Sequence, residues 1–130
     1  MIFVDTSVWI AAFRDAGSKE ARQLSLLLDA DEAALSIPAF LEVLAGASRP
    51  ERERLRNTLT ALPLFYPTNQ TWQAVERWID AASDSGERFG FADLLIGAIA
   101  AEQGASLWSL DTDFRRMARL KFLSLFAPTA

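Results

Sequence analysis

Short apolar runs along this chain alternate with longer stretches in which apolar residues recur every three or four positions. That alternation predicts strands and helices taking turns around a parallel sheet. Ile2 to Asp5 reads as the first strand, and Val8, Trp9, Ala12 and Phe13 follow as a helical stripe capped by Thr6 or Ser7. Gly17 and Ser18 open a second helix with Leu24, Leu27 and Leu28 as its buried side. Ala33 to Ile37 is a second strand, and Pro38 stands at the N1 position of a helix over Ala39 to Ala47 that stops near Gly46. Glu51 to Leu62 reads as a charged helix with Leu55, Leu59 and Leu62 on one face, and Leu64 to Tyr66 as a third strand. Asn69 caps a helix on which Trp72, Val75, Ile79 and Ala82 share a side, and Ser83 to Gly90 predicts a long flexible loop. Phe91 to Gln103 is apolar nearly all round, the mark of a central, buried helix. Ser106 to Leu110 is a fourth strand, Thr112 caps a helix through Ala118, and Phe122 to Phe126 is a candidate fifth strand. With no repeat or linker, residues 1–130 are expected to form a single domain.

Acids interrupt the most apolar of these stretches. Asp5 ends the first strand, Glu42 stands inside Phe40-Leu41-Glu42-Val43-Leu44, Asp93 lies in the first turn of the buried helix, and Asp111 follows Leu107-Trp108-Ser109-Leu110. An ionised carboxylate in such surroundings costs several kcal/mol unless a cation or a set of donors compensates it. Strands of a parallel sheet end at one edge, where ligands bind. Residues far apart in the chain therefore meet there, with Asp113 a possible fifth member. Each acid alone also has an ordinary explanation: Asp93 and Asp113 suit helix first turns, Asp5 a turn or cap, and Glu42 a solvated face. Ser7 and Ser109 stand within two positions of Asp5 and Asp111 and are placed to orient them by hydrogen bonds. Trp9, Trp72, Trp78 and Trp108 read as core residues before stacking platforms.

Composition narrows the chemistry further. The chain has no His and no Cys, and its only lysines are Lys19 and Lys121. Thiol catalysis, thiolate metal sites and His-based triads are excluded, and a carboxylate cluster with so few partners points to Mg²⁺ or Mn²⁺. Absence of Cys fits a cytoplasmic protein, and the start of the chain does not read as a signal peptide. No apolar run approaches the roughly 18 residues of a membrane span. A net charge of −4 is the wrong sign for gripping nucleic acid by electrostatics alone. It is less of an obstacle to an enzyme whose acids are covered by bound cations. Two clusters of positive charge, Arg49, Arg52, Arg54, Arg56 and Arg115, Arg116, Arg119, Lys121, are first of all solvated helix faces.

Four segments carry a family resemblance: Ile2 to Trp9, Ser36 to Gly46, Phe91 to Ala100 and Leu107 to Phe114. In order and spacing this set resembles PIN domains, and in particular the VapC toxins of bacterial and archaeal toxin–antitoxin systems. The resemblance implies a single three-layer α/β/α domain with a central, mostly parallel sheet of four to five strands. It implies a Mg²⁺- or Mn²⁺-dependent endoribonuclease acting on RNA, with Asp5, Glu42, Asp93 and Asp111 as its catalytic acids. Metal ligation falls to Asp5, Asp93, Asp111 and Asp113, the choice between the last two being open, while Ser109 stands where many members have Thr. By the same analogy the partners are a small antitoxin and a second copy of the chain.

Three other readings compete. A receiver-type phosphotransfer domain would want a Lys at the end of a late strand, and both lysines look badly placed for that. A haloacid-dehalogenase-like phosphatase would want an acid where Ser7 stands. A catalytically silent domain of the same fold would not need the full acid set. Finally, Trp9, Phe13, Leu24, Leu27 and Leu28 exceed the evident needs of a small core, so part of that face is a candidate groove for a partner helix.

Overall fold

A computed structural model describes residues 1–128. Five parallel strands form one sheet: β1 (Ile2–Val4), β2 (Ala33–Ser36), β3 (Leu64–Phe65), β4 (Ser106–Trp108) and β5 (Ser124–Leu125). The order across the sheet is β3-β2-β1-β4-β5, with Ile2 opposite both Ala33 and Ser106. Seven helices make the connections: α1 (Thr6–Arg14), α2 (Lys19–Asp29), α3 (Ile37–Ala45), α4 (Arg49–Leu59), α5 (Asn69–Asp84), α6 (Phe91–Glu102) and α7 (Thr112–Arg119). The expected α/β class and parallel sheet hold, now with five strands. No helix among the described residues is long and apolar enough to cross a membrane.

From β1 the chain steps outward through β2 to β3, then returns past β1 and steps the other way through β4 to β5. Connections of one hand must therefore cover one face on the first leg and the opposite face on the second. The reversal lies between β1 and β4, and a crevice opens there outside their carboxyl ends. Phe3, Val4, Ala34, Leu35 and Leu107 are buried in the middle of the sheet. Helix α6 has seven consecutive buried residues, Leu94 to Ala100, enclosed by the sheet and by α3, α5 and α7, so the apolar run is a central helix as expected. Gly97 lets the helix approach closely there: a Cβ would come within 2.8 Å of Leu123 Cδ2 and 3.2 Å of Trp78, so the Leu123 side chain would have to move.

Several boundaries and faces differ from expectation. The caps of α1, α5 and α7 are Asp5, Thr68 and Asp111, each one or two residues earlier than Thr6 or Ser7, Asn69 and Thr112. Each of these residues still has extended backbone, so it is the last position able to cap from outside. The predicted loop is shorter, because α5 runs to Asp84 and only residues 85–90 connect it to α6. Leu62 lies beyond α4, which ends at Leu59. On α5, Val75 and Ala82 are buried, but Trp72 and Ile79 are 45% and 50% exposed. Three residues of helix turn a side chain about 60° off the stripe, enough to lift Trp72 out of the core and onto Phe91, with which it stacks at 6.1 Å. On α2, Leu24 and Leu27 are buried while Leu28 faces out. Trp9 and Trp108 are core residues as expected, whereas Trp72 is not.

Candidate metal-binding acid site

Asp5 reaches the crevice by leaving β1 one residue before α1, which it caps by accepting from the Ser7 N–H at 3.4 Å. Its carboxylate is almost wholly buried and would be untenable alone. Ser7 Oγ and Ser109 Oγ each donate to its Oδ2 at 2.8 Å. Those hydroxyls are in turn fixed by backbone: Leu110 N–H donates to Ser7 Oγ at 3.0 Å and Asp111 N–H to Ser109 Oγ at 3.0 Å. With both hydroxyl protons committed to Asp5, the 3.2 Å approach of the two Oγ atoms is a contact rather than a hydrogen bond. A bond to a charged group contributes about 1.5–3 kcal/mol, so two of them offset much of the desolvation. Every one of these bonds falls on Oδ2. Because no buried side-chain polar atom lacks a partner among the described residues, Oδ1 reaches solvent and is available to a ligand.

Asp93, Asp111 and Asp113 form the tighter group. One carboxylate oxygen from each lies within 4.8 Å of the others, although Asp93 comes from α6 and the other two from the start of α7. Asp111 caps α7 through Oδ1, which accepts from Asp113 N–H at 2.9 Å. Asp93 is pushed up to about 7 from 3.8, first by burial and then by the charges of Asp111, Asp5, Asp113 and Glu42. Five carboxylates thus act on one another at a single edge. Glu42 is exposed on α3 and accepts from Thr6 Oγ1 at 3.0 Å, so it sits at the rim of the group.

All five predicted acids converge, together with Ser7 and Ser109. Asp5 lies outside the closest trio, and Asp111 and Asp113 both belong to it, so geometry does not choose one over the other. Two contributors were not singled out from the sequence. Thr6, considered only as a cap, holds Glu42. Arg116, assigned to a solvated face, donates through Nη2 to Asp113 Oδ1 at 2.6 Å and through Nη1 to Glu87, and lies 4.7 Å above the Phe89 ring. The Asp113 and Glu87 bonds raise the Arg116 pKa further. The spacing of Asp113 and Arg116, one helical turn apart, was the available signal. Lys19 stands at the start of α2 and not at the end of a late strand, and it lines a cavity that also reaches Ser109 and Asp111. Of the proposed partner groove, Trp9, Leu24 and Leu27 are internal, while Phe13 is 47% exposed and Leu28 also faces out.

A donor set made wholly of carboxylate oxygens, converging from three segments and pushing one member's pKa toward neutrality, fits a hard divalent cation. A larger cleft of about 930 Å³, between Ile79, Glu87, Phe89 and Leu94, contains none of the acids and does not share this chemistry.

Comparison with known proteins agrees with this geometry. A family model described as "PIN domain" matches residues 2–120. Ribonuclease VapC11 of Mycobacterium tuberculosis is 33% identical over 127 residues, covering 92% of this chain and 93% of that protein. Ribonuclease VapC32 of the same organism is 38% identical over 112 residues, 85% of each. Among solved structures, VapBC2 from Rickettsia felis, bound to a DNA fragment from its promoter, superposes with a TM-score of 0.77 over 97% of this chain and 98% of that one, at 20% identity.

Proposed function

Because the chain belongs to the PIN domain family, we propose that it is a VapC-type endoribonuclease, a toxin that cleaves RNA phosphodiester bonds with the help of Mg²⁺ or Mn²⁺. The convergence of Asp93, Asp111 and Asp113 within 4.8 Å carries the metal assignment, beside two ribonuclease relatives that align over most of the chain. When bound, the cation supplies Lewis-acid polarisation of the phosphate and a lowered pKa for the attacking water.

The chain's own residues do the rest. Asp93, Asp111 and Asp113 would hold the cation, with the free Oδ1 of Asp5 available as a further ligand. Ser7 and Ser109 keep Asp5 oriented by occupying Oδ2. Thr6 fixes Glu42 through Oε1, leaving Oε2 free to accept a proton from the attacking water. Arg116 holds Asp113 at one oxygen, which limits how that carboxylate can meet a ligand. The phosphotransfer alternatives lose their basis once the family is known, and a silent domain would have no use for Ser7 and Ser109 trained on a buried acid.

The partner we propose is a small antitoxin, in line with the toxin–antitoxin complexes among the solved structures of the same fold. Phe13, Leu26 and Leu28 are the exposed apolar residues that α1 and α2 offer it. Trp72, Ile79 and Phe91 offer a separate apolar face for a second copy of the chain. We place the protein in the cytoplasm, as a single domain. The test is cleavage of a mixed RNA pool with and without Mg²⁺ or Mn²⁺, using Asp5→Asn as control. Metal-dependent cleavage lost in the variant is expected; cleavage unaffected by chelator refutes the metal assignment. Co-expression with the neighbouring open reading frame should give a complex without activity, and a neighbour that fails to bind refutes the antitoxin assignment alone.

A further inference from the structure

Beside the acid site lies a cavity of about 540 Å³ that no step of the proposed reaction uses. Leu110, Leu125 and Phe126 give it an apolar floor, with Trp108 set edge-on against Phe126 at 5.6 Å. Lys19 at the start of α2 and Arg115 on α7 bring two cations to its lining. Ser109 and Asp111 also line it, so the cavity is continuous with the acid site.

We propose that this cavity is a nucleotide subsite, taking one base and one flanking phosphate of single-stranded RNA next to the bond to be cut. The proposal rests on the nuclease function argued above. Volume, floor and charge all fit: the size lies in the range of small-molecule sites, about 300–1,000 Å³, and an unpaired base stacks readily on exposed apolar and aromatic side chains. Lys19 and Arg115 complement a phosphate. Glu20 is the one acid of the lining outside the catalytic group, and Asp111 is engaged by the cation when that is bound. A chain of net charge −4 needs local cations of this kind to hold a polyanion at all. One of its two lysines stands at this point. A peptide from a protein partner would use the floor but has no call on both cations.

Amide chemical shifts of the full chain, titrated with adenosine 5′-monophosphate in chelator, test the site apart from cleavage. Leu110, Arg115, Leu125 and Phe126 should move, and Lys19→Gln/Arg115→Gln should weaken binding at least fivefold. Both positions are exposed, so an unchanged melting temperature will show that the double variant folds. With Mn²⁺ and an RNA oligonucleotide, the same variant should raise KM at least fivefold while kcat stays within twofold. The subsite is overturned if the nucleotide leaves these amides unmoved, if the double variant binds it like the wild type, or if kcat falls with KM unchanged. It is equally overturned if a partner protein, and not the nucleotide, perturbs these amides. A wild-type protein that takes the nucleotide but cuts no RNA refutes the nuclease function and upholds the cavity as a nucleotide site.

Discussion

Replacing Asp93 with Asn should stabilise the metal-free protein, and more at pH 8 than at pH 5. In the unfolded chain Asp93 titrates near 3.8; in the folded chain burial and four neighbouring acids push it up to about 7. Below about pH 4 both states hold the proton and folding carries no penalty from this group. Between the two values the folded chain keeps a proton that the unfolded chain has released, so each rise in pH lowers stability. Above 7 both states are ionised and the loss is complete. At 1.36 kcal/mol per pH unit the ceiling is about 4 kcal/mol. Asp93 is only half-buried, and allowing for solvent screening brings this to about 2 kcal/mol at pH 8 and about 1 kcal/mol at pH 5. For a chain of this length, about 4 °C per kcal/mol gives a rise in Tm of about 8 °C at pH 8 and about 4 °C at pH 5. The assay is thermal unfolding by circular dichroism in chelator at both pH values, repeated in millimolar Mn²⁺, where the wild type should gain and the variant should not. A gain independent of pH, or a loss at pH 8, would refute the electrostatic origin of the effect.

Ser109→Ala should destabilise the protein by about 1–2 kcal/mol and reduce cleavage, because Asp5 loses a 2.8 Å donor while staying buried; denaturant unfolding with unchanged midpoint would contradict this. Arg116→Gln should lower the Mn²⁺ concentration at half-maximal stabilisation at least threefold, since a cation bonded to Asp113 at 2.6 Å competes with the metal. An unmoved midpoint in a Mn²⁺ titration of Tm would show that it does not. Gly97→Ala should cost about 1–3 kcal/mol by forcing a Cβ to 2.8 Å from Leu123. The double variant with Leu123→Ala should recover part of the loss of Gly97→Ala measured on the Leu123→Ala background; purely additive losses would refute the clash.

The sheet and the acids were legible because each rests on a local signal. Alternation of short apolar runs with helical stripes gives strand and helix, and a parallel sheet brings strand ends to one edge, so Asp5 and Asp111 could be placed together from spacing alone. Asp93 could be added because a charge inside a run as apolar as Phe91 to Ala101 needs a reason. What escaped notice depends on contacts between segments. Whether Trp72 is core or surface turns on how α5 sits on α6, about 60° of rotation that no periodicity resolves. Arg116 looked like any helix-face cation until the 85–90 connection brought Glu87 to its far side. That Lys19 shares a cavity with Asp111 depends on how α2 packs beside the end of β4, which sequence separation does not reveal. Helix caps were misplaced by one or two residues because the residue just before the first helical one still has extended backbone and does the capping.

The bonds from Ser7 and Ser109 to Asp5 also have a consequence for the timing of synthesis. The bond from Ser109 joins residues 104 positions apart, and the cation-holding trio needs Asp111 and Asp113 as well. At 5–20 residues per second, about 5–20 seconds separate the appearance of Asp5 from that of Asp111 on the ribosome. Through nearly all of that interval β1 has no β4 to pair with, Asp5 lacks Ser109, Asp93 lacks Asp111 and Asp113, and the nascent chain holds no competent site. A protein that cuts RNA is thus harmless to the messenger still encoding it until translation has passed most of its length. That delay is written into the order of strands across the sheet.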